Sequence, residues 1–204
     1  MNAMSTSTDA GQERKAPGRP RNAQADEAIL EAVLELLNEG QSAAAVSIEA
    51  VAARAGVGKA TIYRRWPNKE ALLADAVRAM KGPLPELAGV SVREDLIALI
   101  QANRTPHAKR YGNVTACLLP EIIKDEALGR MHRAVIEPRR EVMREVLRRG
   151  IATGELRADL DVELTQLMLS GPSMVQSMLR LQDLVPDENF AEKIVDAVLR
   201  GASA

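Results

Sequence analysis

Residues 46–72 read VSIEAVAARAGVGKATIYRRWPNKEAL, and where this stretch breaks decides the fold. Ser47 is a natural N-cap for a short helix in which Ile48, Val51, Ala52 and Ala55 share a face, and Gly56-Val57-Gly58 interrupts it. A second helix runs from Lys59 to Trp66 and stops at Pro67. Asn68 then caps another, Lys69 to Met80, which carries Leu72, Leu73, Ala76 and Val77 inward. Two short helices about a three-residue turn have the dimensions of a helix-turn-helix, in which the first helix braces the second across the groove of duplex DNA. An ordinary αα-corner in a helical core has the same dimensions. Charge separates the two readings: between Glu49 and Glu70 stand five bases, Arg54, Lys59, Arg64, Arg65 and Lys69, and no acid, whereas a solvated corner usually mixes signs.

At about 100° per residue, Ile62 and Trp66 share the inner side of the second helix while Ala60, Thr61 and Arg64 project opposite, with Tyr63 and Arg65 at the borders. That outer face suits the major groove. Ala60 and the Thr61 methyl can lie against a thymine methyl, and the Arg64 fork matches the O6 and N7 acceptors of guanine. Lys59, Tyr63, Arg65 and Lys69 are placed to reach phosphates, which fix register rather than sequence.

Working outward, a helix from Asp26 to Glu39 precedes this unit: Ile29, Val33, Leu36 and Leu37 form its apolar stripe, Glu27, Glu31, Glu35 and Glu39 another face, and Gly40 its C-terminal cap. Residues 1–21 have no apolar periodicity and read as a flexible basic arm. Gly18-Arg19-Pro20-Arg21 matches the short arms whose arginines enter narrow A/T-rich minor grooves, so Arg19 and Arg21 join the DNA-contact candidates beside the alternative of a solvated basic tail. Downstream, Gly82-Pro83-Leu84-Pro85 marks a boundary between a DNA-binding domain over 22–80 and a second domain over 81–204. Ser91 opens a helix carrying Leu96, Leu99 and Ile100. Residues 113–123, 125–149, 161–180 and 187–200 read as further helices, with Pro120, Pro138 and Pro172 expected to kink or split theirs.

Composition agrees with an all-α chain. Only 2% of the 204 residues are aromatic, while Ala, Leu, Glu and Arg dominate, a mixture that favours helix over sheet. The net charge of −1 says nothing of nucleic acid, so any affinity must lie in local patches. One cysteine, Cys117, excludes an internal disulfide, and two histidines, His107 and His132, make a metal centre improbable. No apolar run is long enough to span a bilayer and the start lacks a secretory pattern, so a cytoplasmic protein without a membrane partner is expected. No Gly-x-Ser-x-Gly elbow, zinc helix or phosphate-cradling loop supports catalysis, and no cofactor is expected.

The stretch quoted above resembles the DNA-binding signature of the TetR family of bacterial transcriptional regulators. The Gly56-Val57 turn, Thr61-Ile62-Tyr63, Trp66 three residues on, and Asn68-Lys69-Glu70-x-Leu72 all sit in register, and with the preceding helix the match covers about residues 24–80. The resemblance implies an all-α homodimer with an N-terminal three-helix DNA-binding head and a C-terminal helical bundle that pairs with its twin and holds an inducer. It puts Ser47 and Lys69 at phosphate-contacting positions, Tyr63 nearby, and Lys59, Ala60, Thr61 and Arg64 on the recognition helix. Glu49 departs from the pattern, standing where some members carry a basic or neutral base-reading residue. An acid there either makes no contact or accepts from a cytosine N4 donor.

In the second domain, the last two helices carry Leu164, Leu167, Met168, Val175, Met178 and Leu179, then Phe190, Ile194, Val198 and Leu199. That is more apolar surface than one small body buries, so pairing of two copies through residues 161–200 is expected. The methionines Met131, Met143, Met168, Met174 and Met178 read as core first and as the wall of a plastic pocket second. Asn103, Arg104, Tyr111, His132, Met168 and Gln176 are the candidates for holding an uncharged or weakly charged, largely apolar effector. The arginines from 130 to 149 read as a solvated face paired with Glu137, Glu141 and Glu145. The function expected is a sequence-specific regulator, a repressor released from a near-palindromic operator by a small molecule. One alternative is an activator or a regulator without a ligand; another is a helical carrier or enzyme whose corner is architectural, from which sequence-dependent duplex binding that weakens steeply with salt separates a regulator.

Overall fold

A computed structural model describes residues 21–104, 106–179, 181, 186 and 188–201. Among the described residues ten α-helices follow one another: α1 (Arg21–Asn38), α2 (Ile48–Ala55), α3 (Lys59–Tyr63), α4 (Lys69–Lys81), α5 (Val92–Ala102), α6 (Pro106–Arg110), α7 (Gly112–Lys124), α8 (Glu126–Thr153), α9 (Val162–Leu179) and α10 (Phe190–Arg200). No strand occurs among the described residues, and the all-α expectation holds.

Apolar periodicity becomes packing in two clusters. The first gathers Ile29, Val33 and Leu37 of α1 with Val51, Ile62, Trp66, Leu72 and Ala76, and runs on into Tyr111, Val114, Leu118, Leu128 and Val135 of α7, α8 and the corner before them. The second holds Val92, Leu96 and Leu99 of α5 with Met143, Val146, Leu147, Leu169 and Val195. Helix α8, 28 residues and about 42 Å long at 1.5 Å per residue, takes part in both. Polar links tie the same pieces together. Asp95, 2% exposed, accepts from Arg149 at 2.6 Å and from the Gly89 N–H at 3.2 Å. Gly150 of α8 is a close-approach glycine, because a Cβ there would sit 2.7 Å from Val92 and 2.8 Å from Leu156.

Several expectations shift. Helix α1 begins at Arg21 rather than Asp26, since Arg21, Ala23, Gln24 and Ala25 are good helix formers. Helix α3 ends at Tyr63, not Trp66; Arg64 and Arg65 turn out of it on the last carbonyls before Pro67. Pro120, Pro138 and Pro172 do not split their helices. All three are exposed, so the carbonyl each leaves unpaired lies on the wet side. Helix α6, which starts at Pro106, is additional to the helices expected. The arginines of α8 are not all a solvated face either. Arg144 is 8% exposed and holds Glu137 at 2.6 Å, Glu141 at 2.5 Å and Glu163 of α9 at 2.9 Å. Met168 and Met174 lie outside the core, at 50% and 48% exposure, while Met143 is buried.

Candidate nucleic-acid interface and body

Local chemistry sets the head. Ser47 Oγ accepts from the Ala50 N–H at 3.1 Å and closes the start of α2, leaving its own hydroxyl proton to donate outward. Gly56 ends α2 at φ 66°, a left-handed conformation that a side chain would oppose. Asn68 Oδ1 accepts from the Ala71 N–H at 2.8 Å to start α4. Between these caps, Ile62 is fully buried and Trp66 nearly so, its indole N–H donating to Asp75 at 2.9 Å. Burial on that side turns Ala60, Tyr63 and Arg64 to solvent, with Thr61 half-exposed between them.

The five cations of the stretch have different fates. Arg54 is taken up by α1, donating to Glu39 at 2.8 and 3.1 Å and to Glu35 at 3.4 Å. Its carboxylate partners therefore come from the helix whose acids were expected to face elsewhere. Arg65 is drawn inward, with a side chain 13% exposed that contacts Asp26 and donates to the Thr61 carbonyl at 2.9 Å. Lys69 donates to the Ala44 carbonyl at 2.9 Å and retains donors for a further partner. Lys59 meets Glu49 at 2.9 Å, which raises the lysine's pKa and lowers that of the glutamate. Arg64, exposed beside Ala60 and Tyr63, has no partner among the described residues. Arg21 opens α1, and Arg19 lies outside the described residues.

The structure brings two of the six body candidates, Arg104 and Gln176, into direct contact. Arg104 donates to Gln176 at 2.6 Å and stacks 3.9 Å over the Phe190 ring, which joins α5's end to α9 and α10. Asn103 closes α5 by donating to the Leu99 carbonyl. Tyr111, 1% exposed, donates to Glu31 of α1, and burial together with that carboxylate pushes its pKa up. His132 is half-buried on α8; burial, then Lys81, Arg140 and Arg133, push its pKa down. Met168 is half-exposed on α9. Two hollows open nearby. One of about 290 Å³ lies between Arg104, Lys109, Phe190 and Glu192; another of about 380 Å³ lies between Ala44, Lys69, Leu73, Glu121 and Leu128.

With this geometry in place, comparison with known proteins is decisive. The sequence profile of bacterial regulatory proteins of the tetR family matches residues 29–76, and that of the tetracyclin repressor-like C-terminal domain matches residues 89–198. The chain belongs to the TetR family. As a TetR-family protein it is a DNA-binding transcriptional regulator. It is 31% identical over 191 residues to an uncharacterized HTH-type transcriptional regulator, YdeS, of Bacillus subtilis, covering 92% of this chain and 94% of the relative. It is 29% identical over 160 residues to a DNA-binding transcriptional repressor TetR of Mycobacteroides abscessus, covering 75% and 80%. Among solved structures, TylP, a TetR regulator from Streptomyces fradiae, superposes with a TM-score of 0.67 at 21% identity over 90% of this chain and 89% of that one, a likeness of fold. No helix among the described residues is long and apolar enough to cross a membrane.

In this TetR-family regulator the sequence reading missed what grips the head from the body. Glu121 of α7 accepts from the Ala43 and Ala44 N–H groups at 2.8 and 3.0 Å. Asn113 donates to the Asn38 carbonyl at 3.1 Å, and Arg110 meets Glu31 at 2.9 Å. Arg139 donates to the Lys81 carbonyl at 3.3 Å and to that of Gly82, where α4 ends. These pairs lie 57 to 79 residues apart, and no local pattern announces them.

Proposed function

We propose that this regulator is a repressor that holds a near-palindromic operator as a homodimer and releases it when a small molecule occupies the body. Residues 22–80 serve as the reading head, residues 81–204 as the regulatory and pairing body, and Arg19 and Arg21 as an additional cationic contact. The work is done in the cytoplasm, where the operator is. The observation that carries the reading is Arg64: exposed, without a partner among the described residues, and flanked by Ala60, Thr61 and Tyr63 on one open face. An unpaired guanidinium has no ion pair to break before it takes guanine O6 and N7. Ser47 and Lys69, each with donors to spare, suit phosphates, while Arg65 is the weakest of the named contacts because its charge is already matched by Asp26.

Pairing is supported by α9, whose Leu164, Leu167, Met168, Met174, Val175 and Leu179 are all 43% exposed or more and recur at helical spacing. Helix α10 joins from the side, since Val195 is buried and Ile194, Val198 and Leu199 pack against the second cluster. For the effector, the hollow beside Arg104 and Phe190 sets one aromatic ring among the polar side chains of Gln101, Lys109, Asn189 and Glu192, which suits a small molecule carrying several polar groups. Selection of duplexes from a randomised library tests the core of this reading. Arg64→Ala is expected to lose about 1 to 3 kcal/mol and discrimination at one base pair per half-site. Unchanged affinity and unchanged base preference would show that the face is wrongly assigned.

A further inference from the structure

A charge pair bridges the turn at the start of α3. Glu49, the second residue of α2, and Lys59, the first of α3, meet across the turn with Oε1 and Nζ 2.9 Å apart. Their side chains are 65% and 54% exposed. Apart from Glu49's own backbone N–H and an electrostatic contribution of Tyr63 on Lys59, nothing else among the described residues holds either group. The pair is neutral as a unit, so it brings no net attraction for a phosphate. It also places a carboxylate where a polyanion will lie, and a carboxylate gains there only by accepting from a base amino group.

We propose that Glu49 and Lys59 act together to read one C·G base pair in each half-site, an inference that rests on the DNA-reading head described above. In that base pair the cytosine N4 amino group and the guanine O6 are hydrogen-bonded to each other, about 2.9 Å apart, and both edges face the major groove. A carboxylate oxygen and an ammonium nitrogen 2.9 Å apart present the complementary order, acceptor opposite N4 and donor opposite O6, with N7 within the ammonium's reach. An A·T pair also offers an amino group beside a carbonyl. It lacks the paired O6 and N7 acceptors that suit a lysine, so the C·G pair is the better match. Lys59 accordingly reads a base rather than a phosphate, and Glu49 holds its ammonium in the orientation that does so.

The test uses the full chain and library selection with the wild type, Glu49→Ala, Glu49→Gln and Lys59→Ala. The wild-type motif should contain a symmetric C·G position. Glu49→Ala and Lys59→Ala should each lower the preference there at least tenfold while leaving the rest of the motif intact, which also shows that the head still folds. Glu49→Gln should move that position toward A, whose N6 and N7 an amide fits. Glu49→Ala should also raise affinity for random duplex and steepen its salt dependence, because Lys59 is then free to displace a counterion. If the wild type selects a motif and the glutamate variants select the same one, or if the affected position is A·T, this assignment is overturned while the DNA-reading head stands. If the wild type selects no motif at all, the reading beneath it fails as well.

Discussion

Arg64 and Arg54 are ten residues apart and carry the same charge, Arg54 on α2 and Arg64 just past the end of α3, yet among the described residues one has no partner and the other is spent on α1. The wheel gave Arg64 its direction because Ile62 and Trp66 must be buried. It gave Arg54 nothing, because Glu35 and Glu39 approach from another helix. Gly150 is the counterpart in the body: it falls just beyond the helix expected over 125–149 and lies instead inside α8, at a contact too close for a side chain. Gly150→Ala gains helix propensity but drives a methyl against Val92 and Leu156. The expected outcome is a net loss of about 1–2 kcal/mol in urea unfolding, with operator preference unchanged.

At the scale of elements, α8 shows why periodicity alone underread the body. Its charges were assigned to solvent because glutamate and arginine alternate at helical spacing, but Arg144 turns toward α9 and binds three carboxylates. Glu141 is shared between Arg148 at 2.7 Å and Arg144 at 2.5 Å, and these hydrogen bonds, Arg148's first, hold its carboxyl below the usual glutamate range. A carboxyl depressed in the folded state stabilises it above the unfolded pKa, and the effect disappears as pH falls through the folded value. Glu141→Gln should therefore melt at a lower temperature than the wild type near neutral pH, and the two curves should converge in acid below the ordinary glutamate range. A constant offset across the whole range would show that packing, not charge, is responsible.

For the whole molecule, the pairing surface and the head–body grip each yield an outcome. Both of the last two helices read as parts of the pairing surface, but the structure spends α10 on the second cluster and leaves α9's stripe open. Leu167→Glu should thus give a folded monomer by sedimentation with weak operator binding, whereas a charge at Ile194 should lower stability itself. A Leu167→Glu protein that remains dimeric would place the interface elsewhere. Glu121→Ala removes the acceptor for two N–H groups at the entrance to α2, one of them on the buried Ala43, at a cost of about 1–3 kcal/mol. Trp66, the single tryptophan, lies in the head, so its fluorescence should report melting of that part ahead of the loss of helical circular dichroism. Coincident transitions would mean that Glu121 does not hold the two parts together.

The all-helical class, the two caps at Ser47 and Asn68, the turn at Gly56 and the outward face of α3 were settled by the sequence itself. Each follows from interactions within about four residues, where side-chain type and backbone preference act directly. Tertiary structure decided what depends on the approach of distant segments. It set which cations are neutralised, which of two similar apolar helices stays exposed, how α8 serves both clusters, and how Glu121, Asn113 and Arg139 bind the head to the body. Those contacts join residues many tens of positions apart, and a charge or an apolar stripe reads the same in sequence whether another helix arrives to cover it or not.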